Sequence, residues 1–185
     1  MQVGIVDLET TGFLNKGGHI VEIGMVGFNT KFSGVRDILN IRCREAAMGA
    51  PDGEAWIFKN SSLTVNEVAN AELLEQQRPA IQSALNSVDV VTAYNKDFDF
   101  GFLRDRGFRL PQEWPCPMIV LTDIMKLPKT GWAAKKYPGY KYPSVEEAWR
   151  FLFPEFQYKE QHRGLDDAMH EASIVSEMYK RGWIG

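Results

Sequence analysis

The sequence predicts an α/β domain in which helices flank a central mixed sheet. The chain opens with three strand-like runs, and the first, Val3–Leu8, is continuously apolar, as in a strand buried on both faces. Helical patterns then alternate with further strand-like runs. This order of elements is typical of layered α/β folds with a mixed sheet. The length of 185 residues, without repeats or a change of composition, predicts one domain that spans residues 1–185.

The strands are predicted from apolar, β-branched or alternating residues that lie between Gly and Asn turns. Ile20–Phe28 and Ile38–Cys43 follow the first strand, and Val88–Tyr94 comes later in the chain. The short apolar run Met118–Leu121 is predicted as the last strand.

The helices are predicted from apolar residues at helical spacing. Ser144 precedes Glu147 by three residues, the pattern of a capping box, and this predicts a helix from there to Leu152. In chain order the predicted helices are Leu63–Ala69, Pro79–Asn86, Phe98–Arg106, 144–152 and Gly164–Tyr179, the last with an apolar stripe formed by Leu165, Ala168, Met169, Ala172, Val175 and Tyr179.

The composition is that of an ordinary globular protein and excludes a disordered chain, since 44% of the residues are hydrophobic and 12% are aromatic. The net charge of −3 means that an anionic substrate needs a local basic patch or metal ions. The distant pair Cys43 and Cys116 fits a reducing compartment, so we expect a cytoplasmic protein. We expect no secretory leader and no membrane segment, because no apolar run approaches the ~20 residues that span a bilayer.

Two acids end the first strand in the sequence VDLETTG. Asp7 and Glu9 are two residues apart, so their side chains leave the same face of the strand. In a dry setting two such carboxylates repel, and a nearby cation stabilises them. The alternative is a strand end that reaches solvent. The apolar approach to Asp7 favours a site at the end of the strand, where sites form in α/β sheets.

Two more segments carry candidate catalytic groups. In YNKDFD, Asp97 is expected to cap the following helix, and Asp99 lies between two phenylalanines. In HRGLDDA, His162 precedes the last helix and Asp167 follows five residues later. For both acids a favourable position in a first helical turn is the alternative explanation. We interpret the other two histidines, His19 and His170, as ordinary surface or core residues.

Together these segments supply four carboxylates and one histidine, without a Cys/His cluster. Oxygen ligands of this kind suit Mg²⁺ or Mn²⁺ better than Zn²⁺. Two such ions, roughly 4 Å apart, stabilise the attacking and leaving oxygens of a phosphodiester displacement. His162 has a side chain suited to take the proton from an attacking water.

VDLETTG, YNKDFD and HRGLDDA, in this order, resemble the three motifs of the DEDD-type 3′–5′ exonucleases. The histidine before the last Asp is similar to that of the His subtype, DEDDh, which includes polymerase proofreading (epsilon-like) subunits and ribonuclease T. The resemblance covers roughly residues 3–179. It implies an RNase H-like fold with a central mixed five-stranded sheet flanked by helices.

The resemblance also implies roles for individual residues. Two metal ions, Mg²⁺ or Mn²⁺, would be held by Asp7, Glu9, Asp99 and Asp167, with His162 as the general base. Gly164 stands where relatives carry Ala, a difference that we expect to matter little. Residues implied to contact or orient the terminal nucleotide are Thr10, Thr11, Gly12, Asn95 and Phe98, with core packing as the alternative for Phe98.

We therefore predict a metal-dependent 3′–5′ exonuclease that releases nucleoside 5′-monophosphates from a single-stranded 3′ end, with DNA favoured. One alternative is an enzyme that trims RNA 3′ ends, and another is a non-catalytic binding module or polymerase-associated subunit on the same fold. The chain ends soon after Tyr179, so no tail is expected to tether a polymerase. The sequence leaves the oligomeric state open.

A cationic segment, Lys126–Tyr142, holds five lysines and no acid, with four aromatic residues between them. Lysines bind phosphates and aromatic rings stack on exposed bases, so the segment predicts a surface that captures single strands. The alternative is a solvated loop and short helix whose aromatic residues face the core.

Overall fold

A computed structural model describes residues 1–185, and the side chains of Ser33, Pro51 and Ala133 are outside that description. Its sheet has five strands in the order β3-β2-β1-β4-β5, with β1 antiparallel to β2 and parallel to β4. The predicted mixed sheet is therefore confirmed. The strands are β1 (Gln2–Thr10), β2 (Ile20–Asn29), β3 (Phe32–Arg42), β4 (Val90–Thr92) and β5 (Gln112–Glu113).

Helices cover both faces of this sheet. Short 3-10 turns at Leu14–Lys16 and Ala50–Glu54 join some of the elements. The helices are α1 (Trp56–Asn60), α2 (Val65–Ala69), α3 (Leu74–Asn86), α4 (Lys96–Asp105), α5 (Pro117–Met125), α6 (Gly131–Lys136), α7 (Val145–Leu152) and α8 (Gly164–Lys180). Within the described part of the chain, no helix combines the length and apolar character that crossing a bilayer requires.

The prediction of a strand at Met118–Leu121 is wrong, because these residues lie within α5. Pro117 occupies the start of that helix, where its missing N–H costs nothing. A short apolar run fits a buried strand or a buried helix equally well. The fifth strand is instead Gln112–Glu113, two polar residues that pair with β4 and show no apolar pattern.

The core lies in two main layers, one on each face of the sheet. On one face α8 packs across β1 and β2, and its Ala168, Ala172 and Val175 are fully buried. On the other face α3 and α4 pack against the same strands through residues such as Phe102. Met169, which was predicted in the buried stripe of α8, is exposed, because the helix turns that position away from the sheet.

Candidate active site

The end of β1 carries the first two acids. β1 runs through the centre of the sheet, and Glu9 is 9% exposed while Asp7 is partly exposed. The register between β1 and β2 shifts just after Glu9. This irregularity ends the regular pairing of the strand at the point where the two carboxylates are presented.

Asp99 reaches the same place from α4. β4 pairs with β1 no further than Ile5, so the amide of Leu8 has no strand partner on that side. Asp99 Oδ1 accepts this N–H at 3.1 Å, and Asp99 is 4% exposed. A buried amide needs such an acceptor, so the contact fixes α4 against the strand end.

The prediction that Asp97 caps α4 is wrong. Asn95 occupies the cap position, and Asp97 is an exposed residue within the first turn of the helix. An acid there interacts favourably with the helix dipole without accepting a capping hydrogen bond.

The third segment brings Asp167 to the site from the first turn of α8. Its Oδ2 accepts the backbone N–H of Arg163 at 2.8 Å. Its Oδ1 accepts the Tyr158 hydroxyl at 2.6 Å and the Gln161 N–H at 3.2 Å. These bonds fold the preceding loop around the carboxylate, so that His162 projects from a backbone with φ of +54°, a conformation rare outside glycine.

One atom each of Glu9, His162 and Asp167 lies within 4.8 Å of the others. The two acids come from opposite ends of the chain, and the histidine comes from the loop before α8. Together with the Asp99 contact to β1, this arrangement brings the five predicted residues to one end of the central strand.

Burial of these acids changes their protonation. Removal from water, followed by nearby carboxylates, raises the pKa of Glu9 to about 9. Burial raises the pKa of Asp99 to about 8, although the hydrogen bond from the Leu8 amide acts to lower it. The pKa of Asp7 is also well above its usual range, from loss of water and then from Glu171 and Glu9. These three acids are therefore all ionised together only when a cation binds beside them.

Glu171 is a buried acid at this site that the sequence analysis did not select. It lies one helical turn after Asp167 on α8, is 4% exposed, and accepts the N–H of Tyr94 at 3.2 Å. Its charge is the largest electrostatic contribution to the raised pKa of Asp7. The spacing of Asp167 and Glu171, which places both on one helix face, was the available signal.

Glu22 was also missed, and it anchors the loop that carries His162. This β2 residue is 2% exposed and lies opposite Glu9 in the strand register. Arg163 binds it with two nitrogens, Nη2 to Oε1 at 2.7 Å and Nε to Oε2 at 3.0 Å. The Gly164 N–H adds a third bond at 3.0 Å. A bidentate contact between a guanidinium and a carboxylate fixes the orientation of the loop as well as its position.

Gly24 and Gly164 allow α8 to approach β2 this closely. A Cβ built on Gly24 would lie 2.0 Å from the carbonyl of Gly164, and a Cβ on Gly164 would lie 2.7 Å from the Gly24 nitrogen. The expectation that Gly164 matters little is therefore wrong for this chain, because a methyl group there would displace the start of α8.

The predicted nucleotide-binding residues lie in different surroundings. Phe98, Thr10, Thr11 and Gly12 line a cavity of about 450 Å³ beside Glu9. The Thr11 hydroxyl is already engaged, since it donates to Asp52 and accepts the His19 N–H. A Cβ on Gly12 would meet nothing within 4 Å, which leaves open space at the strand end. Asn95 is exposed at the start of α4.

The donor set fits a hard divalent cation. The carboxylates supply oxygen, the ligand that Mg²⁺ and Mn²⁺ prefer. The raised pKa values of Asp7 and Glu9 indicate that the surrounding protein does not compensate the charge of these two acids. An arrangement of buried acids without paired cationic side chains is costly unless a metal ion binds.

The chain matches a family model described as an exonuclease, RNase T, over residues 5–175. It resembles the structure of cell-death related nuclease 4 (CRN-4), with a TM-score of 0.70, 11% identity, and coverage of 98% of this chain and 64% of that one. It also resembles the structure of a full-length 3′-exonuclease, with a TM-score of 0.64, 16% identity, and coverage of 98% of this chain and 61% of that one.

A third similar structure is the nuclease domain of 3′hExo, a DEDDh family member, bound to rAMP. Its TM-score is 0.66 at 15% identity, with coverage of 100% of this chain and 96% of that one. The chain thus spans less than two thirds of the first two structures, and at these identities the likeness shows the RNase H-like fold alone. No curated protein sequence matches the chain. The family match extends over most of the 185 residues and includes all three acidic segments, so the chain belongs to the RNase T exonuclease family.

Proposed function

We propose that the protein is a metal-dependent 3′–5′ exonuclease of the His subtype that acts on single-stranded ends and releases nucleoside 5′-monophosphates. The observation that carries this proposal is the meeting of Asp7, Glu9, Asp99, Asp167 and His162 at one end of β1. Membership of the exonuclease family supports the reaction class. We assign this activity to one domain, residues 1–185.

Asp7, Glu9, Asp99 and Asp167 are the residues that would hold two divalent ions, Mg²⁺ or Mn²⁺. Such ions, when bound, stabilise the charge that develops on the phosphate and on the leaving oxygen. The bonds from Leu8 to Asp99 and from Tyr158 to Asp167 orient two of the carboxylates before any ion binds. Orientation by a surrounding hydrogen bond raises the affinity of a ligand set.

His162 is the proposed general base. Its imidazole accepts a proton from the water that attacks the terminal phosphate. The new P–O bond forms as the bond from phosphorus to the 3′ oxygen of the preceding nucleotide breaks, and that oxygen takes a proton from solvent water and leaves as a 3′-hydroxyl. Arg163 and Glu22 hold the loop, so the imidazole stays beside Glu9 and Asp167. A nitrogen of His162 lies within 4.8 Å of an oxygen of each of these two acids, so the alternative role for His162 is that of a metal ligand.

Substrate capture is proposed for the cationic segment Lys126–Tyr142. Trp132 is 66% exposed, and Lys136 Nζ lies 4.5 Å from its ring centroid. Tyr137, Tyr140 and Tyr142 are exposed as well, which contradicts the alternative in which these rings face the core. Exposed rings among lysines offer stacking and phosphate contacts to a single strand.

DNA is the favoured substrate, and RNA 3′-end trimming is the second candidate. The 3′hExo nuclease domain is bound to rAMP, and a further similar structure concerns recognition of a histone mRNA stem-loop by a 3′-exonuclease. These two RNA ligands are what supports RNA as the second candidate for this chain. A 2′-hydroxyl is accepted or refused through small changes around the terminal sugar.

A non-catalytic binding module, or a subunit that serves mainly to associate with a polymerase, is the remaining alternative. The complete set of four acids and His162 disfavours it. The free thiols of Cys43 and Cys116 support a cytoplasmic location.

The deciding experiment digests labelled single-stranded DNA, duplex DNA and RNA in parallel, with Mg²⁺ and with Mn²⁺. We expect stepwise release of 5′-monophosphates from the 3′ end, fastest on single strands and absent with Asp7→Asn. Binding of single strands without metal-dependent cleavage would support the binding module instead. Faster cleavage of RNA than of DNA would select the RNA-trimming candidate.

A further inference from the structure

The cavity of about 450 Å³ beside Glu9 has two chemically different kinds of wall. Its polar walls are Glu9, Thr10 and Thr11. Its aromatic walls are Phe13, Trp56 and Phe98, which come from three separate segments of the chain. Polar walls suit a sugar, and aromatic walls suit a flat apolar group such as a nucleobase.

The three aromatic walls are not equally fixed. Phe98 packs edge-on against Phe102, whose ring is fully buried, at a centroid distance of 5.2 Å. Phe13 and Trp56 are 62% and 58% exposed. Large aromatic side chains left open at the mouth of a cavity offer a surface for a ligand to cover.

Trp56 has a second contact that distinguishes it from Phe13 and Phe98. Its ring lies 4.7 Å from the imidazole of His162, at an interplanar angle of 78°. Such an edge-to-face pair restricts the orientation of both rings. Among the residues whose side chains the structure describes, none forms a hydrogen bond with that imidazole. The neighbouring backbone is anchored through Arg163 and Glu22, and the indole contacts the ring itself.

We propose that Trp56 couples the 3′-terminal nucleobase to the general base His162. The base stacks on the indole, which then holds the imidazole in the orientation that accepts the proton. A terminal nucleotide without a base is bound through its phosphates but cleaved slowly. Trp56 is thus a positioning residue that selects for an intact terminal base of any identity, and this inference rests on the proposed exonuclease activity.

The test pairs enzyme variants with two substrates, a normal single-stranded DNA and the same strand ending in an abasic nucleotide. In the parent we expect kcat to be about 10- to 100-fold lower on the abasic end, the scale of one base–aromatic stack. Trp56→Ala should lower kcat on the normal strand to the same level and make the two substrates equal. Trp56→Phe should restore most of the difference.

Two controls separate coupling from simple binding. Phe13→Ala removes an aromatic wall of the same cavity without a contact to His162, so it should raise KM and keep the ratio of the two kcat values. Phe32→Ala removes an aromatic residue that is 73% exposed on β3, and should leave both substrates unchanged. If Trp56→Ala raises KM alone, or slows both substrates by the same factor, the coupling is absent.

A second readout does not depend on catalysis. The chain has three histidines, so the imidazole signals of His162 can be assigned by NMR with His162→Ala. With Mg²⁺ present, a nucleoside 5′-monophosphate should shift these signals in the parent and not in Trp56→Ala, and deoxyribose 5-phosphate should not shift them in either protein. Unchanged signals in the parent would overturn the coupling. A clear shift in a protein that cleaves no nucleic acid would instead refute the exonuclease activity alone.

Discussion

At the scale of single residues, the site is a set of acids that the protein orients but does not neutralise. Asp99 is held by the Leu8 amide, and Asp167 by the Arg163 amide and Tyr158. The raised pKa values of Asp7, Glu9 and Asp99 follow from burial beside other carboxylates. Two of the proposed roles can be tested at this scale.

Asp7→Asn should abolish nearly all Mg²⁺-supported cleavage, because it removes a proposed ligand shared by the ions. The fold should survive, since the amide has the shape of the acid and relieves repulsion from Glu9 and Glu171. Cleavage assays and thermal melting at alkaline pH measure both effects, and there the metal-free variant should melt no lower than the parent. Substantial cleavage by the purified variant would contradict the ligand assignment.

His162→Ala should lose ~10²–10⁴-fold in kcat, the scale of removing a proton-transfer group. It should still bind two Mn²⁺ ions in a calorimetric titration, because the base is not a ligand. Loss of an ion in the variant would assign His162 as a ligand instead, which its position near Glu9 and Asp167 also permits.

At the scale of elements, the site depends on how closely α8 approaches β2. Gly24 and Gly164 lie in direct contact there, and Glu22 binds the residues that precede the helix. The helix start, the loop with His162 and the strand end therefore move together. A second element, the Lys126–Tyr142 segment, lies on the surface and contributes charge and exposed rings.

Gly24→Ala should reduce the free energy of unfolding by at least ~1–3 kcal/mol, because its methyl group would overlap the Gly164 carbonyl. The variant should also lose kcat under conditions in which it is still folded, because moving the start of α8 displaces the loop that carries His162. Denaturant unfolding and kcat measure the two losses. Gly12→Ala provides a control for folding, because a Cβ at that position meets nothing within 4 Å. A fully stable and active Gly24→Ala would contradict the close packing.

Neutralising Lys135 and Lys136 together should raise KM for long single strands and reduce its salt dependence, because fewer counterions are released on binding. Turnover at saturation should barely change. Lys136 also lies over the rings of Trp132 and Tyr137, so its loss frees these rings as well as removing a charge. Lys31, at the turn before β3, is the matched control for an ordinary surface lysine. An unchanged salt slope would show that the segment does not bind the strand.

At the scale of the whole molecule, the buried acids connect metal binding to stability. Carboxyls in an unfolded chain titrate near pH 4. Glu9 and Asp99 titrate at about 9 and about 8 in the folded protein. Between these limits the folded state keeps protons that the unfolded state has lost, so the free energy of unfolding falls as pH rises. This contribution is complete below the unfolded pKa and is lost as pH passes the folded values.

The metal-free protein should therefore melt at progressively lower temperature from about pH 5 to about pH 9. Mg²⁺ or Mn²⁺ should raise the melting temperature, and more strongly at the alkaline end, because the ions replace the protons. Differential scanning calorimetry with a chelator and with each ion measures this. Glu9→Gln and Asp99→Asn should flatten the slope of the chelated protein. A chelated parent that becomes more stable with rising pH would contradict the burial of these charges.

Short sequence patterns alone determined much of the fold and of the candidate site. The apolar run before Asp7 is a central strand, the Ser144 capping box begins α7, and the mixed sheet has the predicted class. These features depend on short-range patterns, such as continuous burial or a cap, which a sequence displays directly. The three acidic motifs were recognisable for the same reason.

The tertiary structure alone decided which groups surround those motifs. Met118–Leu121 became helix and Gln112–Glu113 became the edge strand, because pairing with β4 outweighs the apolar pattern of so short a segment. Glu22 and Trp56 reach the site from β2 and α1, at separations that no local pattern encodes. Their roles come from distances between atoms far apart in the chain, and only the packing of α8 and α1 against the sheet sets those distances.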